Sequence, residues 1–246
     1  MEGRMPDPNR LGGLAWTRRT GGALTGAERR RLLGAIARGQ LEMVAGRAKL
    51  AAGRASRAAT ELPDPPDSAF ARDVEERARE QSPRVVAHSY RTWMFGHALA
   101  ALDGEALDPE LFWAASLLHD FGIDRPVPGQ DFTIRSADKV LECAARHGVD
   151  GEPAADAVTV HPTPGIEPAT DGALGVYVQA GALTDVGGLR VWDMASSLVA
   201  EVERRQPRGD SLAPLVRAEI RAVPRGRFAL LVRCGFLLLM RLPQPR

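Results

Sequence analysis

The chain has 246 residues, 44% apolar and 26% charged, the balance of an ordinary globular protein and not of a fibre or a disordered chain. Its net charge of +1 conceals an asymmetry: residues 1–60 carry 12 basic and 4 acidic side chains, net +8, and residues 61–246 carry 20 and 27, net −7. Two distant cysteines, Cys143 and Cys234, exclude a disulfide framework or a zinc ribbon and suit a reducing compartment.

The opening "MEGRMPDPNRLGGLAW" lacks the apolar run of a signal peptide, so a cytoplasmic location is expected. Next, "LTGAERRRLLGAIARGQLEMVAGRAKLAAGR" has Thr25 and Glu28 at capping-box spacing, then Leu32, Leu33, Ile36, Met43, Val44 and Leu50 at helical intervals. A basic arm invites a nucleic-acid reading, but a helix that docks its apolar face and turns its arginines to solvent accounts for the pattern better. Only two lysines stand against 30 arginines, so a single arginine carries little functional information. The proline-rich "ELPDPPDSAF" breaks any helix, which divides the chain into a basic N-terminal extension, residues 1–60, and a main domain, residues 61–246.

Downstream signals stay helical. In "DPELFWAASLLHD", Asp108 stands at an N-cap and Pro109 at the first helical position, where its missing N–H is harmless. "SADKVLECAARHG" is expected to run from a Ser136 cap to a Gly148 C-cap. "EPAADAVTVH" and "GALGVYVQAGALTD" predict two more helices, and "FALLVRCGFLLLM" at 228–240, too short and too charged to span a bilayer, predicts one core helix. With no sustained period-2 alternation, the expected fold class is all-α.

Against this frame, "AASLLHDFGID" at 114–124 is unusual, because His119 and Asp120 follow an apolar run directly. A buried carboxylate without a partner costs several kcal/mol, and a metal ion is one way to compensate it. His88, in "HSYRTWMFGHALA", and Asp185, in "AGALTDVGG", also follow apolar segments. Two imidazoles and two carboxylates suit Zn²⁺ foremost, with Fe²⁺ or Mn²⁺ as alternatives. Neighbouring helix residues point about 100° apart, so His119 and Asp120 reach one ion only where the helix passes it tangentially.

The order H…HD…D across helices resembles the HD-domain superfamily of metal-dependent hydrolases. The three segments "HSYRTWMFG", "AASLLHDFG" and "AGALTDVGG" are most similar to its cyanamide hydratase-like branch, over residues 64–205. The resemblance implies an HD-type helical bundle with one divalent ion on His88, His119, Asp120 and Asp185, and a small polar substrate such as a nitrile. Attack by metal-activated water on a phosphate ester is the alternative chemistry, and a non-catalytic regulatory protein is a further one. Two departures bear on this. Where many phosphohydrolases of the superfamily carry a basic residue after HD, this chain has Asp124, and the two extra histidines of a diiron site are represented only by His147 and His161, so one metal is expected.

His161, in "VTVHPTPGI", stands where the family also has a histidine. It is expected to take a proton from the attacking water, or return one, with a pKa near neutrality. Arg91, three residues after His88, shares its face and is expected to orient a substrate or a ligand carboxylate. Asp120 is expected both to bind the ion and to hold the attacking water. Trp93, Phe95 and Trp113 are expected in the core, and His97, two and a half turns from His88, outside the site. A small-molecule substrate is expected, neither membrane nor nucleic acid is, and self-association stays open.

Overall fold

The computed structural model describes residues 6–7, 9–55, 58 and 60–241. Among these it has no strand, and its elements run α1 (Leu14–Thr20), α2 (Gly26–Ala51), α3 (Ala69–Ala78), α4 (Pro83–Asp103), α5 (Pro109–Leu118), a 3-10 turn (Phe121–Asp124), α6 (Phe132–His147), α7 (Glu152–Val160), α8 (Pro168–Asp171), α9 (Ala173–Gly187), a second 3-10 turn (Val191–Asp193), α10 (Ser196–Arg205), α11 (Ala213–Ala222), α12 (Arg227–Arg233) and α13 (Phe236–Leu239). The fold is all-α, as the sequence predicts. No helix among the described residues is long and apolar enough to cross a membrane.

Local signals fix most of the starts. The Thr25 hydroxyl accepts from the Glu28 N–H while the Glu28 carboxylate accepts from the Thr25 N–H at 2.7 Å, closing the capping box of α2. Asp108 accepts from the N–H groups of Glu110 and Leu111 at the head of α5. Asp124, the acidic residue after HD, has a structural partner: it accepts from Ser82 N–H at 2.6 Å and Ser82 Oγ at 2.7 Å, which ties the start of α4 to the HD turn.

Two expectations need correction. α6 starts at Phe132 and not at Ser136, because Asp131 caps it by accepting from Thr133 N–H. Ser136 lies inside the helix, and its Oγ accepts from Gly122 N–H at 2.9 Å, so a residue read as a cap is a strut for the HD turn. Segment 228–240 is not one core helix. It breaks at Gly235, whose φ of +96° strongly favours glycine, and α12 and α13 are half-buried for much of their length, with Leu238 exposed.

The main core is built by α3, α4, α5, α6, α7 and α9 and contains Trp93, Phe95 and Trp113, with the Trp93 and Trp113 rings edge to face at 4.7 Å. α4 and α9 meet backbone to backbone. A Cβ on Gly181 would lie 2.1 Å from the Thr92 carbonyl oxygen, and one on Gly96 would lie 2.4 Å from the Tyr177 carbonyl oxygen, so only glycine permits this approach.

The flanks join the bundle through Arg227 of α12, a fully buried guanidinium. It donates to Thr159 O at 2.6 Å, Thr163 Oγ1 at 2.9 Å and Asp131 Oδ2 at 3.0 Å, reaches Gly12 O at 3.5 Å, and lies over the Trp16 ring. Arg10 pairs with Asp156 and Asp171, adding a second tie from the N-terminal segment to α7 and α8. Replacing one member of a buried pair strands the other charge, so Arg227→Met is expected to lower unfolding free energy by about 3–5 kcal/mol in urea denaturation. A loss below about 1 kcal/mol would show that the Asp131 charge is relieved in some other way.

Glu219 of α11 accepts from Phe132 N–H at 3.1 Å, and burial, reinforced by the charges of Asp131 and Asp120, pushes its carboxyl from the ordinary 4.5 up to about 7. Between these values the folded chain holds a proton that the unfolded chain has lost. Stability from this group therefore falls as pH rises through that window, by roughly 3 kcal/mol in all, and is level above it. Glu219→Gln keeps the acceptor and removes the titration, so its stability between about pH 5 and pH 7 should decline less than that of the unaltered protein. Parallel profiles for the two proteins would refute this.

Candidate metal centre

Four helices deliver the polar cluster. His88 projects from α4, His119 ends α5, His161 ends α7, and Asp185 lies near the end of α9, while Asp120 opens the 3-10 turn; all five are buried. α5 and α7 are short, of 10 and 9 residues, and each ends on the histidine it delivers.

The adjacency of His119 and Asp120 is resolved by where the helix stops. His119 keeps helical angles, but Asp120 has φ −104° and ψ 10°, outside the helix, which swings its carboxylate to the same side as the imidazole. A Cβ on Gly122 would lie 2.1 Å from the Phe132 carbonyl oxygen, so this turn also depends on glycine to sit against α6.

His119 Nδ1 donates to Ser116 O at 2.7 Å, and His161 Nδ1 donates to Val158 O at 2.7 Å, each one turn back along its own helix. His88 Nδ1 donates to Asp185 Oδ2 at 2.7 Å. Those partners accept only, so in each neutral ring the lone pair resides on Nε2. The Nε2 atoms of His88 and His119 stand 3.2 Å apart, with Asp120 Oδ2 at 3.7 Å and 3.6 Å from them. Two opposed lone pairs beside a carboxylate disfavour one another unless a cation lies between them. His88, His119 and Asp120 bring their donor atoms within 4.8 Å of one another, and this set fits a divalent metal.

Asp185 stands differently. Arg91 clamps it through Nε at 2.6 Å and Nη2 at 3.0 Å, Arg208 Nη1 lies 3.0 Å from Oδ1, and His88 takes Oδ2. Burial acts to raise its pKa, but the His88 hydrogen bond and the charges of His88 and Arg91 outweigh that and hold the carboxyl well below the usual range. The remaining Arg91 donor reaches the carbonyls of Gln206 and Pro207, so its guanidinium grips a carboxylate and the backbone at the end of α10.

His161 Nε2 faces Asp120 Oδ1 at 3.8 Å, and that oxygen has no hydrogen-bond partner. Burial, then the charge of His119, pushes the His161 pKa well below its ordinary value, so the expectation of a pKa near neutrality is corrected. His161 is neutral at pH 7 and presents an acceptor. The other two histidines lie elsewhere: His147 ends α6 at 3.2 Å from Asp73 on the outer side, and His97 borders a small separate pocket with Pro63 and Trp93. Sequence reasoning missed Arg208, which one arginine among 30 gave no signal to single out, and Gln179, whose amide donates to the carbonyls of His161 and Thr163 and fixes the chain after α7.

The HD domain family model matches residues 85–208, half of the chain, and the protein belongs to this family. HD domains are, as a class, metal-dependent hydrolases. No curated protein matches the chain.

The three convergent donors define the expected result of metal analysis. Plasma mass spectrometry on protein purified without chelator should give about one divalent ion per chain, none in His119→Ala, and an unchanged content in His147→Ala. Two irons per chain, or loss on changing His147, would require a different ligand set.

Proposed function

We propose that the protein is a mononuclear metal-dependent hydrolase or hydratase that adds water to a small electrophilic group, and that a carbon bonded to nitrogen, as in the nitriles suggested by the likeness to the cyanamide hydratase-like branch, is that group. The observation that carries this reading is the pairing of a convergent His88, His119 and Asp120 set with an acceptor, His161 Nε2, set across from the unpartnered Asp120 Oδ1. A divalent cation, with zinc the best match to the donors and iron or manganese next, supplies Lewis acidity that makes water acidic and the electrophile more reactive.

The chain's own groups do the rest. The bonds at their Nδ1 atoms fix the rings of His88 and His119 so that each turns its Nε2 toward Asp120. Asp185, in this reading, orients His88 rather than completing the ligand set, a role supported by its clamp between Arg91 and Arg208. Arg91 accordingly positions Asp185. The separation of 3.8 Å between His161 and Asp120 Oδ1 suits a water hydrogen-bonded to both, from which His161 Nε2 accepts the proton; the resulting imidazolium then protonates the nitrogen of the product. Phosphate esters are disfavoured because no lysine and no buried arginine lines the cavity, among the described residues.

Turnover of nitriles, amides and phosphate esters by metal-loaded protein tests the proposal. Activity on a carbon–nitrogen substrate should vanish in His119→Ala and fall about 10²–10⁴-fold in His161→Gln, which retains the metal. Asp185→Asn should weaken metal affinity about 10–100-fold, and complete loss would make Asp185 a ligand. Hydrolysis confined to phosphate esters would overturn the choice of electrophile, and a metal-free protein would overturn the mechanism.

A further inference from the structure

The polar cluster is the floor of a cavity of about 440 Å³, within the range of sites that enclose a small organic ligand. The floor comes from the family-matched stretch, residues 85–208. Much of the wall does not: Ile36 and Met43 of α2, Val216 of α11, Phe228 of α12 and Leu239 of α13 all face it, and all lie outside that stretch. Away from the floor, the charged lining residues are Arg38, Glu42 and Glu167, and these are exposed.

We infer that this cavity takes a substrate whose hydrolysable group is attached to a compact apolar body, and that the two flanks of the chain recognise that body; the inference rests on the hydrolase reading. A sugar or nucleotide would leave its hydroxyls and phosphates against Ile36, Val216 and Phe228 without partners, which is unfavourable. A molecule as small as cyanamide would touch the floor and leave the wall unused. An aliphatic or aromatic body fills the wall by removing apolar surface from water, the contact this lining can make. α2 is held in place for that role: Gln40 donates to Cys234 O at 2.7 Å, linking the two flanks across the cavity mouth.

The test compares two homologous series by titration calorimetry. Straight-chain hydroxamates from acetyl to octanoyl, which pair a metal-chelating head with a growing tail, are titrated into zinc-loaded protein. Straight-chain alkanols of matching length are titrated into the protein as purified. Affinity should rise about three- to fourfold per methylene in both series until the cavity is filled. Met43→Gln and Leu239→Gln, at half-buried positions where a polar group does not threaten folding, should flatten that gain.

Hydroxamates that bind equally well at every length would leave the hydrolase reading standing and sink this one. Alkanols that gain with length, beside hydroxamates that bind no better than alkanols, would keep the apolar cavity and remove the metal. A length dependence untouched by either substitution would place the binding elsewhere and overturn the inference.

Discussion

The approach of α4 to α9 governs the site. Gly96 and Gly181 let the two backbones touch, and this brings His88 on one helix within hydrogen-bond distance of Asp185 on the other. Any side chain at Gly181 would push against the Thr92 carbonyl and widen that gap, so this buried polar contact depends on two of the core's smallest residues. The buried carboxylate in turn needs Arg91 and Arg208, which pin the chain beyond α10 against the bundle. Helix packing, charge compensation and the orientation of one imidazole are thus a single constraint.

Much of this was legible in the sequence wherever a local rule operates. Thr25 with Glu28, and Asp108 with Pro109, act through groups within three residues of one another, and the helices they predict are present. The residues that gather at the floor were legible as a rare order of histidines and aspartates, while their mutual geometry was not. Asp120 reaches the same side as His119 because the helix ends between them, a tertiary outcome of Gly122 packing on α6 that no period in the sequence encodes. Ser136 misled for a related reason: serine suits a cap, but Asp131, five residues earlier, also does, and the bond from Gly122 N–H claims the Ser136 hydroxyl. The apolar run at 228–240 read as one helix because burial on a cavity wall and burial in a core leave the same composition.

The flanks are not appendages in energetic terms. Arg227 gathers groups from before α1, from α6, and from α7 and the turn after it around one guanidinium, so removing any of these segments strands polar atoms in the interior. Trp16, under that guanidinium, donates from Nε1 to Glu28 at 2.8 Å, so the cap of α2 and the buried cation share one aromatic ring. The placement of α2 beside the cavity therefore follows from the same contacts that complete the core.

On the proposed function, chemistry and selectivity are separated along the chain. The floor belongs to helices of the bundle, and its imidazoles are fixed by bonds to their own helices and to Asp185. Half-buried wall positions such as Met43 and Leu239 have little part in the bundle's interior. Side chains there can be exchanged for others of different bulk without disturbing the imidazoles, which makes the two ends of the chain the natural place to redesign what the protein accepts.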